Sequence, residues 1–92
     1  MQTNSLIKPP KSRMLKSGRV ILSPGEEIGE HITEKREEQI IVLKGRATLI
    51  IGNEKIELKE RDTYYIKENV QHNVQNNYNK ELEYIYTVVL FS

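Results

Sequence analysis

The sequence has no cysteine, no tryptophan and a single phenylalanine. Without cysteine there can be no disulfide framework, no thiolate metal site and no thiol nucleophile. Long apolar runs are also missing, so no segment approaches the length of a membrane span. The first nineteen residues, MQTNSLIKPPKSRMLKSGR, contain no apolar stretch longer than two residues, which excludes a signal-peptide core there. A soluble cytoplasmic protein is the expectation. No phosphate-cradling glycine loop, nucleophile elbow or nucleic-acid module is present.

Those nineteen residues also lack acidic groups. They carry Lys8, Lys11, Arg13, Lys16 and Arg19, while the remainder of the chain holds nine basic and thirteen acidic residues, so a near-neutral total of +1 hides a basic N-terminus on an acidic body. A basic arm can signal nucleic-acid contact. Five charges without interleaved aromatics make a weak footprint, and nucleic acid is not the expected partner. Residues 1–18 are read instead as an arm lying along an acidic surface, its own or that of a second subunit, and residues 19–92 as one domain.

Ninety-two residues suffice for one domain with a thin core. The period within that domain is that of strands. Lys55-Ile56-Glu57-Leu58-Lys59 alternates strictly between charged and apolar, as in a strand with one buried face. Gln39–Leu43 and Thr48–Ile51 are apolar on both faces, so both faces need cover. Leu82–Phe91 is long and rich in β-branched and aromatic residues. Pro24-Gly25, Lys44-Gly45, Gly52-Asn53, Arg61-Asp62, Glu68-Asn69 and Asn76-Asn77 punctuate these runs as turns. Gly52-Asn53 suits a tight hairpin. Glu34–Gln39 has good helix formers but is too short to hold a helix alone. The sum is an all-β chain of about eight to ten short strands closed into a sandwich or barrel. Strands apolar on both faces favour a homodimer.

The chain has two histidines, His31 and His72. A lone histidine on a strand is more often structural than a ligand, so their surroundings decide. Residues 25–45 read GEEIGEHITEKREEQIIVLKG, and residues 62–76 read DTYYIKENVQHNVQN. The first stretch resembles the first motif of the cupins: glycine, five residues, histidine, one residue, histidine, three or four residues, glutamate, six residues, glycine. Gly25, His31, Glu38 and Gly45 fall on it, with Thr33 at the second histidine. The second stretch resembles the second cupin motif, which ends in a histidine and an asparagine four positions later, here His72 and Asn76. Arg61 and Asn69 stand at its glycines and Lys67 at its proline. The resemblance extends over roughly residues 20–90. It implies a small antiparallel jelly-roll barrel, a double-stranded β-helix, with the N-terminal arm outside it.

The resemblance further implies one divalent transition metal (iron, manganese, nickel or zinc) held by His31, Glu38 and His72. Strand geometry agrees, because residues two apart face the same side and His31 and Thr33 would look one way. Two imidazoles and one carboxylate leave open positions on an ion, as in the facial triads of non-haem iron sites. Glu37, beside Glu38, fits the shorter of the two allowed spacings. A hydroxyl is a poor ligand next to an imidazole, so Thr33 is expected to position water or substrate; a weakly filled site and a vestigial one are the alternatives. Asn69 suits a left-handed turn, and Asn76 is read as structural. Tyr64, Tyr65, Tyr84 and Tyr86 are read as core before pocket, and Arg46 and Thr48 as anchors for a substrate anion.

The resemblance allows oxygenase, isomerase, decarboxylase or lyase chemistry on a small polar, oxygen-rich molecule, or non-catalytic binding of a small ligand as a sensor. A fold alone does not choose among them.

Overall fold

The computed structural model describes residues 1–91. Among them are nine strands and no helix. In chain order they are β1 (Gln2–Ile7), β2 (Leu15–Leu22), β3 (His31–Ile32), β4 (Arg36–Lys44), β5 (Ala47–Ile51), β6 (Glu54–Leu58), β7 (Thr63–Ile66), β8 (Gln71–Gln75) and β9 (Leu82–Leu90). They form a five-stranded sheet in the order β1-β2-β9-β4-β7 and a four-stranded sheet in the order β3-β8-β5-β6. Every pairing is antiparallel. The stretch Glu34–Gln39 is a turn entering β4.

The alternation of side chains sets the core. In the larger sheet Val20, Leu22, Ile40, Val42, Leu82, Tyr84 and Val88 are buried between the layers. Ala47, Leu49, Leu58 and Val74 meet them from the smaller sheet. Each residue of these sets lies two or four positions from the next on its own strand, as a one-faced strand requires.

Turn chemistry fixes how the strands follow one another. Gly52 and Asn53 are the two residues between Ile51 and Glu54, a paired position, and Gly52 has φ of 57°. A two-residue loop with glycine first matches the right-handed twist of a hairpin. Asn69 adopts φ of 64°, the left-handed conformation that asparagine tolerates better than most residues. At Gly45, with φ of 81°, an added Cβ would run into the backbone of Glu81. Both the turn and the close chain approach require glycine there.

The N-terminal residues read as an arm are continuous with the larger sheet. Gln2 to Ser5 pair in register with Ile21 to Gly18, which places β1 at the sheet edge, and the expected boundary at residue 18 falls inside β2. The terminal ammonium is 2.8 Å from the Glu26 carboxylate. That contact, with the Ser23 amide on the same carboxylate, holds the Glu26 carboxyl below its ordinary range.

Candidate metal centre

Three strands bring His31, Glu38 and His72 together. His31 on β3 and His72 on β8 are directly opposed partners in the smaller sheet. Glu38 belongs to β4 in the facing sheet, where it stands between Val88 and Ile66. One ligand-type atom from each of the three lies within 4.8 Å of the other two. His72 is fully buried, Glu38 half-buried and His31 exposed at the open side.

The backbone selects which imidazole nitrogen points inward. His31 Nδ1 lies 3.0 Å from the Gly29 carbonyl, and His72 Nδ1 lies 3.1 Å from the Val70 carbonyl. A carbonyl only accepts, so in each ring Nδ1 carries the hydrogen and Nε2 keeps the lone pair. Such carbonyl contacts orient metal-binding histidines. His72 Nε2 is buried and has no hydrogen-bond partner among the described residues; the nearest carboxylate oxygen, Glu38 Oε1, is 3.5 Å away. An unsatisfied buried nitrogen is costly, and a cation between it and the carboxylate removes that cost. The donor set therefore fits a divalent transition metal.

Electrostatics at His72 is a contest. Burial of the ring, the largest influence, pushes its pKa down, but the Glu38 carboxylate and the Val70 carbonyl together hold it above the ordinary imidazole value.

Glu37 points to the outer face, where its carboxylate accepts a 2.6 Å hydrogen bond from the Tyr65 hydroxyl. Glu38, not Glu37, is thus the acidic neighbour of the histidines. Thr33, expected to position water or substrate, instead has its hydroxyl engaged by backbone. It donates to the Lys67 carbonyl at 2.6 Å and accepts from the Val70 amide at 3.2 Å, and the residue is fully buried. Thr33 ends up pinning the turn that leads into His72, because β3 stops at Ile32 and the in-out alternation stops with it. Asn76 is structural, as read: its buried amide donates to the Leu22 and Lys80 carbonyls and its Oδ1 accepts from the Tyr78 amide.

A cavity of about 300 Å³ opens beside the cluster and includes His31 and Glu38 in its lining. Val20, Val74, Val88, Tyr84 and Tyr86 form its walls. Burial, with the Glu38 charge nearby, pushes the Tyr84 phenol far up, so that hydroxyl keeps its proton. Tyr64 packs on the core and Tyr65 lies outside, so only two of the four tyrosines border this space. Arg46 and Thr48 do not border it. Ala47 and Leu49 take the inner face of β5, leaving the Thr48 hydroxyl to bond Glu57 at 3.1 Å, while the Arg46 guanidinium sits 5.8 Å over the Tyr78 ring. Lys16 and Arg36 do line the cavity, and neither was read as a site residue in the sequence, where Lys16 counted only among the basic groups of the arm. Arg36 was within reach of a strand-period argument, being two residues before Glu38; Lys16 was not, because its position depends on pairing across β9.

The sequence profile of the cupin domain matches residues 18–89. The chain belongs to the cupin family. Cupin domains commonly bind a metal or a small ligand, and many oligomerise. Among solved structures, the cupin domain of Cnp3 from Schizosaccharomyces pombe superposes with a TM-score of 0.87 at 15% identity, over 96% of this chain and 63% of that one. An RmlC-like cupin with a double-stranded β-helix fold from Methanocaldococcus jannaschii gives 0.86 at 21% identity, over 97% and 79%. A predicted oxalate decarboxylase from Thermotoga maritima gives 0.78 at 24% identity, over 83% and 66%. The chain thus spans less than two thirds of the fission-yeast and Thermotoga proteins, and at these identities the likeness is one of fold. No curated protein matches the sequence. Among the described residues no helix is long and apolar enough to cross a membrane.

Proposed function

We propose that this cupin is a metal-dependent enzyme acting on a small, oxygen-rich molecule, such as a keto acid, a diol or a sugar, through one divalent ion held by His31, Glu38 and His72. The observation that carries the reading is the unpartnered, buried Nε2 of His72, facing Glu38 and His31 beside a cavity of small-molecule size. A bound ion would supply Lewis acidity and a template for adjacent oxygens, or oxygen activation if it is iron. The protein's own part is positional. The Gly29 and Val70 carbonyls hold the two rings in the tautomer that offers Nε2. Val20, Val74 and Val88 keep water from three sides of the ligand, and the Tyr84 hydroxyl remains a donor. The test is metal analysis of untagged protein prepared without chelators, followed by turnover of a panel of keto acids, diols and sugars. About one equivalent of a transition metal per chain, lost in His72→Ala, is expected; metal retained in His72→Ala would place the ion elsewhere.

A second reading, a non-catalytic ligand-binding cupin, is favoured by one feature. Apart from His31 and Glu38, the polar side chains along the cavity are Thr3, Lys16, Arg36, Tyr84 and Tyr86, types that do not ordinarily exchange protons near neutrality. Ligand binding without turnover across the panel would select it.

We also propose a homodimer through the outer face of the larger sheet. That face carries Ile41 and Ile85 as direct partners, with Leu15, Val89 and Tyr65 exposed nearby. Light scattering tests it: a dimer that Ile85→Glu converts to monomer is expected.

A further inference from the structure

The geometry points to an anionic ligand: Lys16 and Arg36 form a carboxylate-binding end of the cavity, so that the molecule taken up is a small organic acid whose remaining oxygens face the His31, Glu38 and His72 cluster. This narrows the ligand of the site described above and rests on that reading for the metal end only.

The placement follows from strand register. Lys16 on β2 is the partner of Val88 on β9, and Val88 is in turn the partner of Glu38 on β4. Lys16, Val88 and Glu38 therefore form one row on the inner face. Two strand spacings put the Lys16 and Glu38 backbones about 10 Å apart. Arg36, two residues before Glu38 on the same strand, shares that face at about 7 Å along it. Two cations thus flank the acidic member of the cluster at distances a molecule of a few carbons can span. All three residues line the same cavity of about 300 Å³.

Neither cation is otherwise employed. Both are half-buried, and among the described residues neither has a carboxylate within 4.0 Å. Arg36 Nε donates to the Glu34 carbonyl at 3.3 Å. That bond occupies Nε alone and leaves the two terminal nitrogens, the fork that matches a carboxylate. Partly desolvated cations without a counter-ion raise the local concentration of anions. They do so here within a part of the chain, residues 20–92, that has four more acidic than basic residues. An uncharged sugar or diol would leave both cations unpaired, and that is the specificity the arrangement creates.

The test is calorimetric titration of the full chain with matched pairs, lactate against 1,2-propanediol and succinate against 1,4-butanediol, once with zinc loaded and once after chelator treatment. Each acid is expected to bind the zinc-loaded protein at least tenfold more tightly than its diol. In Lys16→Gln/Arg36→Gln that preference should shrink to about twofold, with zinc affinity, titrated separately, unchanged. If the double variant does not fold, each single variant should lose part of the preference. Acids and diols binding alike, no acid binding at millimolar concentration, or an undiminished preference in the folded variants overturns the proposal. If zinc fails to bind while acids still bind through Lys16 and Arg36, the carboxylate end stands and the metal reading falls.

Discussion

His31 and His72 face each other across the β3–β8 pair with ring centroids 3.9 Å apart and planes inclined at 62°. Two imidazoles so close, each with Nδ1 tied to a carbonyl of its own chain segment, leave two lone pairs and the Glu38 carboxylate around one small volume. Protonating either ring turns a donor into a cation beside its neighbour. Proton and metal should therefore compete for the same place.

The competition has a signature in the metal-free protein. The His72 pKa is raised on folding, with Glu38 as a principal cause against the opposing effect of burial. A raised value means that the pair contributes its full stability below the unfolded imidazole pKa of about 6.5, and loses it as pH rises through the higher folded value. Chelator-treated protein should melt at progressively lower temperature as pH rises above about 6.5. Metal affinity should change in the opposite direction. Thermal melts across that range check it, and in Glu38→Gln, where burial is opposed only by the Val70 carbonyl, the pH dependence of the metal-free protein should flatten or reverse.

Loss of either buried or carboxylate ligand should be felt more than changes in the neighbouring turn. His72→Ala and Glu38→Gln are each expected to reduce metal content to background. Lys67→Ala, which keeps the carbonyl that Thr33 uses, should retain it. Elemental analysis of the three purified variants decides.

Thr33→Val should lower stability rather than empty the site. Removing the hydroxyl strands the Lys67 carbonyl and the Val70 amide, a cost of roughly 1–3 kcal/mol for a buried group left unsatisfied. Thr33→His should be worse tolerated, because the position is fully buried. A gain in metal affinity in folded Thr33→His would mean that this residue faces the ion after all.

Gly18→Ala probes the cavity wall. Gly18 pairs with Tyr86, and the Tyr86 ring lies over the place where a Cβ would stand. Displacing the ring should cost about 1–3 kcal/mol by overpacking. The loss should be smaller when Tyr86→Ala is already present, a non-additivity that denaturant titration of the four proteins would reveal.

That His31, Glu38 and His72 come together was legible through the cupin motifs the sequence resembles, and strand spacing agrees with it. His31, Glu38 and His72 sit at intervals that a jelly roll brings together, and each stays on an inner face in the structure. The turns at Gly45, Gly52 and Asn69 were equally readable, since each needs a residue tolerant of positive φ. The backbone bonds of the Thr33 hydroxyl were not legible, because period-two reasoning was carried past the end of a strand that is two residues long. Lys16 was hidden for another reason. Its part in the cavity depends on β2 pairing with β9, some seventy residues away in the chain, and no local pattern encodes that register. The strand at Gln2–Ile7 was invisible too, because TNS breaks any apolar alternation and five of its six residues are exposed.

The three cluster residues are held unequally. Glu38 sits on a strand paired on both sides, and His72 on one paired with both β3 and β5. His31 rides on two exposed residues with a single neighbouring strand. The segment is tied at Gly29 and at Thr33, but the two exposed residues between them form the sheet edge, and exposed edges open below the cost of global unfolding. An arriving ion would meet a fixed pair first and be enclosed second, when the short segment settles. Departure would run in reverse, its rate set by how often the edge residues 30–32 lift away rather than by the strength of any one bond. The cation would be its own latch, and amide exchange in that segment would slow when the ion is present and quicken when it leaves.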